Sequence, residues 1–348
     1  MNNRMTRRDF VRSMALGGAA LSLGTPFLSG RSEALAGEKV DIGLCRSVRI
    51  RCISEVGWFD DRIMFSDMAD GDGPGENQWE KAWDYGNAAG TCALVDLETL
   101  DGRHHRFLVD TGWGREYLEE RLKRERIDRM LEKGDIEFLL VTHEHLDHYW
   151  GVEAVLRYHP EIRMYVPSTF SQEAMKLLMG ADYRPAGVRN FVVHGGKLIK
   201  CRPGHVNKLY DGCALVAFDV PADLRVRGEQ SLFIHVKDKG IVCVTGCCHQ
   251  TIPALADFAR KRILGGENLY GLYGGLHIAP FGSLTPEAEK AVLEMGRYGF
   301  RKIACNHCTG LSAVKRMKAL GYHVVKGSGR FGSRSNLYVG NGDEVFFG

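Results

Sequence analysis

The six residues from His143 to His148 contain three histidines and one aspartate, and they follow a mostly apolar stretch. That stretch, Glu137–Val141, predicts a buried strand, so the polar run begins where the strand ends. His143 and His145 are two residues apart, and in an extended segment their side chains point the same way and can share one metal ion. Asp147 and His148 then lie in the next turn, where they can reach a second ion.

Imidazole and carboxylate donors suit Zn²⁺, Fe²⁺ or Mn²⁺ rather than Ca²⁺. We therefore expect two divalent metal ions, with zinc as the first expectation and iron or manganese as alternatives. A water molecule that bridges two such ions has its pKa brought toward neutrality, and the resulting hydroxide can attack a carbonyl carbon or a phosphorus atom. On this interpretation Asp147 serves both as a metal ligand and as part of the catalytic machinery.

The order His-x-His-x-Asp-His after a buried strand resembles the signature of the metallo-β-lactamase superfamily. Further segments agree with it over roughly residues 90–330. They are Val109–Gly112, Gly228–Leu232, Thr245–His249, Gly274–His277 and His307–Gly310. As a set they resemble the subfamily named for a 7,8-dihydropterin-6-methyl-4-(β-D-ribofuranosyl)aminobenzene 5′-phosphate synthase. That subfamily usually has Cys-Ser-His where this chain has Cys247-Cys248-His249.

The resemblance implies an αββα sandwich with its metals at one edge, and a metal-dependent hydrolase. The subfamily name implies a pterin-related phosphate or diphosphate substrate. Asp110 would support the metal site by orienting a ligand histidine. Cys247 stands roughly where many superfamily members carry a metal-bridging aspartate, so it is either a ligand or a buried thiol. Glu229 is either a carboxylate that supports a ligand or a residue of a loop.

Four more histidines are candidates for the site. His249 and His307 each follow an apolar strand, a position typical of a metal ligand at a sheet edge. His277 follows two glycines, where the backbone can approach a substrate closely, and we expect it to be a ligand or a proton donor to the leaving group. His205 follows Pro-Gly, as a third ligand does in other branches of the superfamily, and therefore competes with His249. The predicted ligand set is His143, His145, Asp147, His148, His249 and His307.

The ten cysteines divide into two kinds. Six stand alone and are expected to be small buried hydrophobic residues. The other four, which are Cys247, Cys248, Cys305 and Cys308, stand beside a histidine. They remain candidates for metal ligands, disulfides or packing residues.

The mature chain alternates strand-like and helix-like segments without a strict βαβ order, which indicates an α+β layered sandwich in a single domain, residues 37–348. Strands are predicted at 48–53, 92–96, 105–110, 137–141, 164–166, 191–193, 197–201, 214–218, 232–236, 241–244, 269–272, 302–304 and 323–326. Helices are predicted at 116–133, 151–158, 172–178, 253–263, 285–298 and 311–320. Residues 60–88 are expected to form a long loop or lid.

Composition excludes several classes of protein. The 348 residues are 44% hydrophobic and 26% charged, which is ordinary for a globular protein. The 46 Lys and Arg nearly balance the 43 Asp and Glu, so neither nucleic acid nor a membrane surface is expected as the main partner. No run of 18 apolar residues occurs, so we expect no membrane-spanning helix in the mature chain. The expected partner is a small-molecule substrate.

The first 36 residues have the pattern of an export signal. Arg7 and Arg8 precede a short apolar stretch rich in Gly and Ala, and Ala34-Leu35-Ala36 provides a small-residue cleavage site. The paired arginines resemble a Tat signal, which is recognised by the bacterial Tat export machinery. We expect cleavage after Ala36 and a periplasmic mature protein.

Two functions follow from these expectations. The first is an exported metal-dependent hydrolase that uses a metal-bridging hydroxide, with phosphoesters, lactones and amides open as substrates. The alternative is a non-hydrolytic periplasmic protein of the same fold that binds a ligand or responds to oxidation through its metals or cysteines.

Overall fold

A computed structural model describes residues 38–55, 77–83, 88–183, 186–280 and 282–348. The predicted signal at 1–36 and most of the predicted loop at 60–88 lie outside these residues. The strands are β1 (Cys45–Ser54), β2 (Cys92–Thr99), β3 (His104–Val109), β4 (Phe138–Leu140), β5 (Arg163–Pro167), β6 (Asp182–Tyr183), β7 (Val188–Arg189), β8 (Leu198–Cys201), β9 (Val206–Tyr210), β10 (Cys213–Pro221), β11 (Arg227–Val236), β12 (Gly240–Thr245), β13 (Leu269–Gly275), β14 (Lys302–Asn306) and β15 (Glu344–Phe347).

The helices lie between groups of strands. They are α1 (Arg115–Arg124), α2 (Ile127–Glu132), α3 (Leu146–Tyr149), α4 (Glu153–Leu156), α5 (Gln172–Leu178), α6 (Ile252–Arg262), α7 (Pro286–Met295) and α8 (Leu311–Ala319). Short 3₁₀ turns are Trp150–Val152, Gly296–Tyr298 and His307–Thr309. None of the helices within the described ranges has both the length and the apolar character needed to cross a bilayer.

Thirteen of the strands in the described residues belong to one hydrogen-bonded sheet that has two halves. One half has the order β15-β1-β2-β3-β4-β5-β8, and the other has the order β9-β10-β11-β12-β13-β14. The halves join where β1 runs parallel to β11, with Cys45 opposite Val236. Because β1 otherwise pairs with β2 and β15, the contact between the halves is a narrow seam.

Three apolar clusters show that the chain is built in four layers. In the first cluster, α1, α2 and α4 pack on β2 to β5, and its members include Leu122 of α1 and Leu108 of β3. In the second, α6, α7 and α8 pack on the strands β11 to β14. The third lies between the two halves of the sheet and contains Val95 and Leu232. The predicted α+β class and αββα sandwich are therefore confirmed.

The apolar run at 137–141 is explained by this layering. Leu139 on β4 faces the helical layer, whereas Phe138 and Leu140 face the other half of the sheet. Successive side chains of a strand point to opposite faces, so a strand that is covered on both faces needs apolar residues at every position. Phe138 stacks on Phe107 of β3 with ring centroids 4.4 Å apart. The strand that leads into the histidine-rich run is thus held on both sides.

Several predicted elements need correction. The single helix at 116–133 is two helices, because Arg126 has a left-handed backbone with φ of 60°. The strand at 191–193 is wrong: the backbone N–H of Phe191 donates to the Glu153 carboxylate instead of to a neighbouring strand. The segment 323–326 forms only an isolated bridge, through Val324. The strand β15, which the sequence did not predict, pairs antiparallel with β1.

Candidate metal centre

Four strand ends bring the candidate residues to one edge of the sandwich. In one half, β4 ends shortly before His143, and α3 begins just after His145. In the other half, β12, β13 and β14 are parallel neighbours, so their carboxyl ends lie at the same edge. The residues that follow these three ends within a few positions are His249, His277 and His307.

The first donor group consists of His143, His145 and His249, and its ligand atoms lie within 4.8 Å of one another. His143 Nε2 is 2.9 Å from His145 Nδ1. The ring centroid of His249 lies 4.8 Å from that of His143 and 5.0 Å from that of His145. Three imidazoles from two halves of the molecule therefore converge on one position, which is the number of protein ligands that a catalytic zinc commonly has.

The second donor group consists of Asp147, His148 and His307, and its ligand atoms also lie within 4.8 Å of one another. His307 Nε2 is 3.1 Å from His148 Nε2 and 3.3 Å from Asp147 Oδ2. The ring centroids of His143 and His148 are 4.0 Å apart. The two groups are therefore adjacent, and the arrangement offers two neighbouring positions for cations.

Each of the five histidines in these groups has its outer ring nitrogen next to an oxygen of the protein. The oxygens are Thr142 Oγ1 for His143, the Asp223 carbonyl for His145, Asp110 Oδ2 for His148, Glu229 Oε2 for His249 and the Glu55 carbonyl for His307. A hydrogen bond from the outer nitrogen fixes the tautomer and the direction of the ring. The inner nitrogens are thereby directed into the centre as lone-pair donors.

Glu229 supports the whole segment that carries His249. It is fully buried, and its Oε1 accepts hydrogen bonds from Thr245 Oγ1 and from the backbone N–H groups of residues 246 to 248. Its Oε2 accepts from both the backbone N–H and the Nδ1 of His249, each at 2.8 Å. Burial alone would raise the pKa of this carboxyl, but the hydrogen bonds and charge of His249 hold the pKa well below its usual range.

Asp110 plays the corresponding part on the other half. Its Oδ1 accepts from the backbone N–H of Thr142 at 2.6 Å, and its Oδ2 accepts from Thr142 Oγ1 at 2.7 Å. His148 Nδ1 lies 2.6 Å from the same Oδ2. This is the supporting contact that the sequence predicted for Asp110, and it ties the loop after β3 to the loop after β4.

Divalent cations fit this donor set. The Nε2 atom of His249 is buried and has no hydrogen-bond partner among the described residues. Burial and neighbouring imidazoles lower the pKa of His143, and burial with the His249 charge lowers that of His145 to about 3, so both rings are neutral, as ligands must be. Although burial opposes it, His148 and His307 hold the pKa of Asp147 below its usual range.

Comparison with known proteins gives one match to a family model. Residues 86–230 match the family model described as the metallo-beta-lactamase superfamily. The match covers less than half of the chain and supports the metallo-beta-lactamase fold. No match is found among curated protein sequences.

Three solved structures illustrate the similarity of this chain to other proteins. One is a metal-dependent hydrolase of the beta-lactamase superfamily, with 19% identity, a TM-score of 0.49 and coverage of 86% of this chain and 98% of that chain. A quorum-quenching N-acyl homoserine lactone lactonase has 17% identity, a TM-score of 0.35 and coverage of 67% and 92%. A motif mutant of a metallo-beta-lactamase from Cronobacter sakazakii has 14% identity, a TM-score of 0.36 and coverage of 66% and 78%.

The structure distinguishes between two histidines, His277 and His205, whose roles the sequence left open. The ring of His277 lies 4.8 Å from that of His249, and its backbone N–H donates to Cys308 Sγ at 3.3 Å. His277 therefore lies at the rim of the centre, beside the donor groups formed by the described residues but in none of them. His205 is exposed, also lies outside those groups, and its backbone bonds to Arg202. The structure thus brings His249, rather than His205, to His143.

Sequence reasoning missed one residue that holds the loop carrying the candidate ligands. Gln78 is buried, and its Nε2 donates to the Glu144 carbonyl at 2.9 Å while its Oε1 accepts from the Leu146 N–H at 2.9 Å. Trp83 Nε1 donates to the Gln78 carbonyl in turn. The aromatic neighbours of Gln78 were the available signal, because a Trp-rich polar segment is unusual for a solvated loop.

Proposed function

We propose that this chain is an exported metal-dependent hydrolase that binds two divalent cations at the centre formed by His143, His145, Asp147, His148, His249 and His307. The observation that carries the proposal is the orientation of the five imidazoles. Each outer nitrogen is held by an oxygen of the protein, and each inner nitrogen is directed at its neighbours. When bound, divalent ions at such a centre supply Lewis acidity and a nucleophile derived from water at neutral pH.

The chain's own residues divide the remaining tasks. Asp110 and Glu229 fix the direction of His148 and His249, so that the donor groups do not need to reorganise when a cation binds. His277, at the rim, is placed to contact a substrate and to give a proton to a leaving group. Burial and the neighbouring His249 lower the pKa of His277, so the ring is mostly neutral in the resting protein. It would therefore first accept a proton from the attacking water, as a general base, and then pass that proton to the leaving group.

The substrate class stays open among phosphoesters, lactones and amides, and the subfamily resemblance adds a pterin-related phosphate. The proposal is tested with metal analysis and a panel of p-nitrophenyl phosphodiesters, lactones, amides and a pterin phosphate ester, before and after chelation. We expect about two metal ions per chain and turnover that chelation abolishes. Reconstitution with zinc, iron or manganese then identifies the active ion.

Matched histidine variants give the control for this experiment. His143→Ala should lose metal and turnover together, whereas His205→Ala removes an imidazole outside the centre and should lose neither. Full turnover by metal-free protein would contradict the proposal. Stoichiometric metal with no turnover on any substrate class, together with a thiol-dependent spectral change, would favour the non-hydrolytic alternative instead.

We also propose export by the Tat machinery and cleavage after Ala36, supported by the paired arginines and by the small residues that follow the apolar stretch. The test is N-terminal sequencing of the protein purified from the periplasm of its native host. We expect the mature chain to begin at Gly37, and the double substitution Arg7→Lys with Arg8→Lys to keep the protein in the cytoplasm. A purified protein that still begins at Met1 or Asn2 would contradict cleavage.

A further inference from the structure

Two of the four cysteines that stand beside histidines face the metal centre. Cys247 Sγ lies 3.0 Å from His148 Nε2. Cys308 Sγ forms a compact group with Cys247 Sγ and a nitrogen of His307, all within 4.8 Å of one another. Both cysteines are more than nine-tenths buried. Their sulfur atoms therefore lie among the same imidazoles that make up the donor groups.

The other two cysteines of this set are placed differently. Cys248 and Cys305 belong to the apolar cluster beneath α6, α7 and α8. Neither is part of a donor group among the described residues. The side chains at 247 and 248 thus point to different sides of one turn. Likewise, Cys308 lies at the centre, whereas Cys305 lies in the apolar cluster. The structure separates two thiols at the centre from two that pack in the core.

Cys247 occupies a position between the two donor groups. Its sulfur lies within 4.8 Å of ligand atoms of His143 and His148, and also within 4.8 Å of ligand atoms of His307 and Cys308. Cys308 is grouped only with His307 and Cys247. A ligand at the first position can bridge two cations, whereas a ligand at the second reaches one of them.

The backbone around Cys308 is shaped to receive its sulfur. Gly275 lies at the end of β13, and a Cβ atom there would be 2.6 Å from Cys308 Sγ, closer than such atoms approach. The backbone N–H of His277 donates to the same sulfur at 3.3 Å. A hydrogen bond from a backbone amide stabilises the thiolate form, which is the form that binds metals. Gly275 and His277 thus make room for the sulfur and supply it with a donor.

The charge of two divalent cations and the preference of soft metal ions for sulfur both favour thiolate ligands at this centre. Asp147 is the single carboxylate in the donor groups formed by the described residues, whereas two divalent cations would bring four positive charges. Thiolate ligands compensate part of that charge, and they select zinc or cadmium over manganese and magnesium.

From these contacts we infer that Cys247 and Cys308 are metal ligands, with Cys247 placed between the two donor groups and Cys308 placed beside His307. The inference rests on the two-cation centre of the proposed function and adds to it a sulfur-containing second site for a thiophilic ion. Each cysteine releases its thiol proton to solvent when the metal–sulfur bond forms.

The test is X-ray absorption at the zinc edge on the zinc-loaded full chain, with ultraviolet spectra of the cadmium and cobalt forms. We expect a sulfur shell at about 2.3 Å beside nitrogen and oxygen at about 2.0–2.1 Å. Thiolate-to-metal absorption should appear in the cadmium and cobalt forms. Cys247→Ser and Cys308→Ser should each reduce the sulfur shell, and the double variant should abolish it. Loss of a residue that only hydrogen-bonds a metal ligand lowers metal affinity by about 10–100-fold, and these cysteine variants should lose more than that.

Cys248→Ala and Cys305→Ala are matched controls, since both remove a buried thiol from nearby turns without touching the centre, and they should keep the full sulfur signal. A zinc-loaded protein without a sulfur shell would overturn the inference, as would a Cys247–Cys308 disulfide that persists with metal bound. Turnover without sulfur ligation would overturn this inference alone. A sulfur shell in a protein that turns over none of the substrates would sustain it and overturn the hydrolase.

Discussion

The histidines of the centre are held in place by oxygens of residues that lie mostly outside the histidine-rich run His143–His148. Asp110 and Glu229 each accept several hydrogen bonds, from a candidate ligand histidine and from the backbone of the loop that carries a candidate ligand. Four residues at this edge, Asp110, Cys248, His277 and His307, also have positive φ without being glycine. Strained backbone of this kind persists where surrounding contacts determine it, and it collects at functional sites.

Replacing Glu229 with Gln should disrupt this support. An amide offers one acceptor oxygen where the carboxylate offers two, so the Nδ1 of His249 and several backbone N–H groups compete for it. We expect metal affinity to fall by about 10–100-fold, measured by competition with a chromogenic chelator. Glu344→Gln, which removes an exposed ion pair with Arg51, is the control and should leave affinity unchanged. Unchanged affinity in both variants would contradict the role of Glu229.

Replacing His277 with Ala should separate catalysis from metal binding. Because His277 lies beside the donor groups, we expect stoichiometric metal to remain while turnover falls by roughly 10²–10⁴-fold, the range for losing a general acid or base. Metal content by atomic emission and turnover on the same sample make the comparison. Loss of metal would make His277 a ligand, and unchanged turnover would remove it from the catalytic machinery.

At the residue scale, the sequence could place the hexad because its spacing and the preceding buried strand are local features. It could not place Gln78, whose two backbone partners at Glu144 and Leu146 are far away in the chain. Nor could it separate Cys247 from Cys248, because a turn residue with φ of 62° at Cys248 decides which thiol faces the centre. Contacts between distant segments and single backbone rotations leave no regular pattern in a sequence.

At the scale of elements, the segment around Gln78 holds the loop between β4 and α3 in place through two side-chain hydrogen bonds. Gln78→Ala would leave the Leu146 N–H and the Glu144 carbonyl without their partner in a buried place. We expect a loss of about 1–3 kcal/mol in the free energy of unfolding and faster hydrogen exchange at Leu146. Asn207→Ala, which removes a similar side-chain amide from β9, is the control and should leave exchange at Leu146 unaltered.

The break between α1 and α2 gives a second prediction at this scale. Arg126 is exposed and has φ of 60°, a conformation that suits glycine better than arginine. Arg126→Gly should stabilise the protein by roughly 0.5–1 kcal/mol in urea unfolding. Gly134→Ala, at an exposed position with φ of 73° and open space around its Cα, should instead destabilise it by about 1 kcal/mol. A result of the opposite sign at either position would contradict the argument.

The predicted elements that failed share a physical cause. Phe191 and Val193 have the composition of a strand, yet both side chains are exposed and the backbone of Phe191 bonds to Glu153. Conversely, β15 at Glu344–Phe347 is too short to give a strong periodic signal, and its partner β1 lies at the other end of the described chain. Local composition predicted the long buried strands well because burial on both faces demands apolar residues throughout.

At the scale of the whole molecule, the sandwich is two half-sheets, each with its own helical layer, joined along one seam and across a shared apolar core. The resemblance predicted the four layers. The seam between Cys45 and Val236 had no sequence signal, because the register between strands so far apart depends on the complete fold. The donor groups lie where both halves meet, so cations would connect the halves.

Removal of the cations should therefore lower thermal stability. Ligands that bind only the folded state stabilise it by mass action, by about 4 kcal/mol when present at a thousand times Kd. We expect a lower Tm by calorimetry after chelation and recovery on adding zinc. His143→Ala, which lacks a ligand of the first group, should show a Tm that responds much less to the chelator. Identical Tm values for the loaded and chelated wild type would contradict a link between the halves.

The distribution of the donors along the chain also sets when a cation can be captured. A nascent chain that has left the ribosome only as far as α5 already displays His143, His145, Asp147 and His148, but it lacks every partner contributed by the segments after β12 and β14. Such a fragment has an incomplete ligand set, so competing chelators in the cell would readily remove a cation from it. On the proposed function, the ions would therefore be acquired late in biosynthesis, and for an exported protein the compartment in which folding finishes would decide which metal is bound.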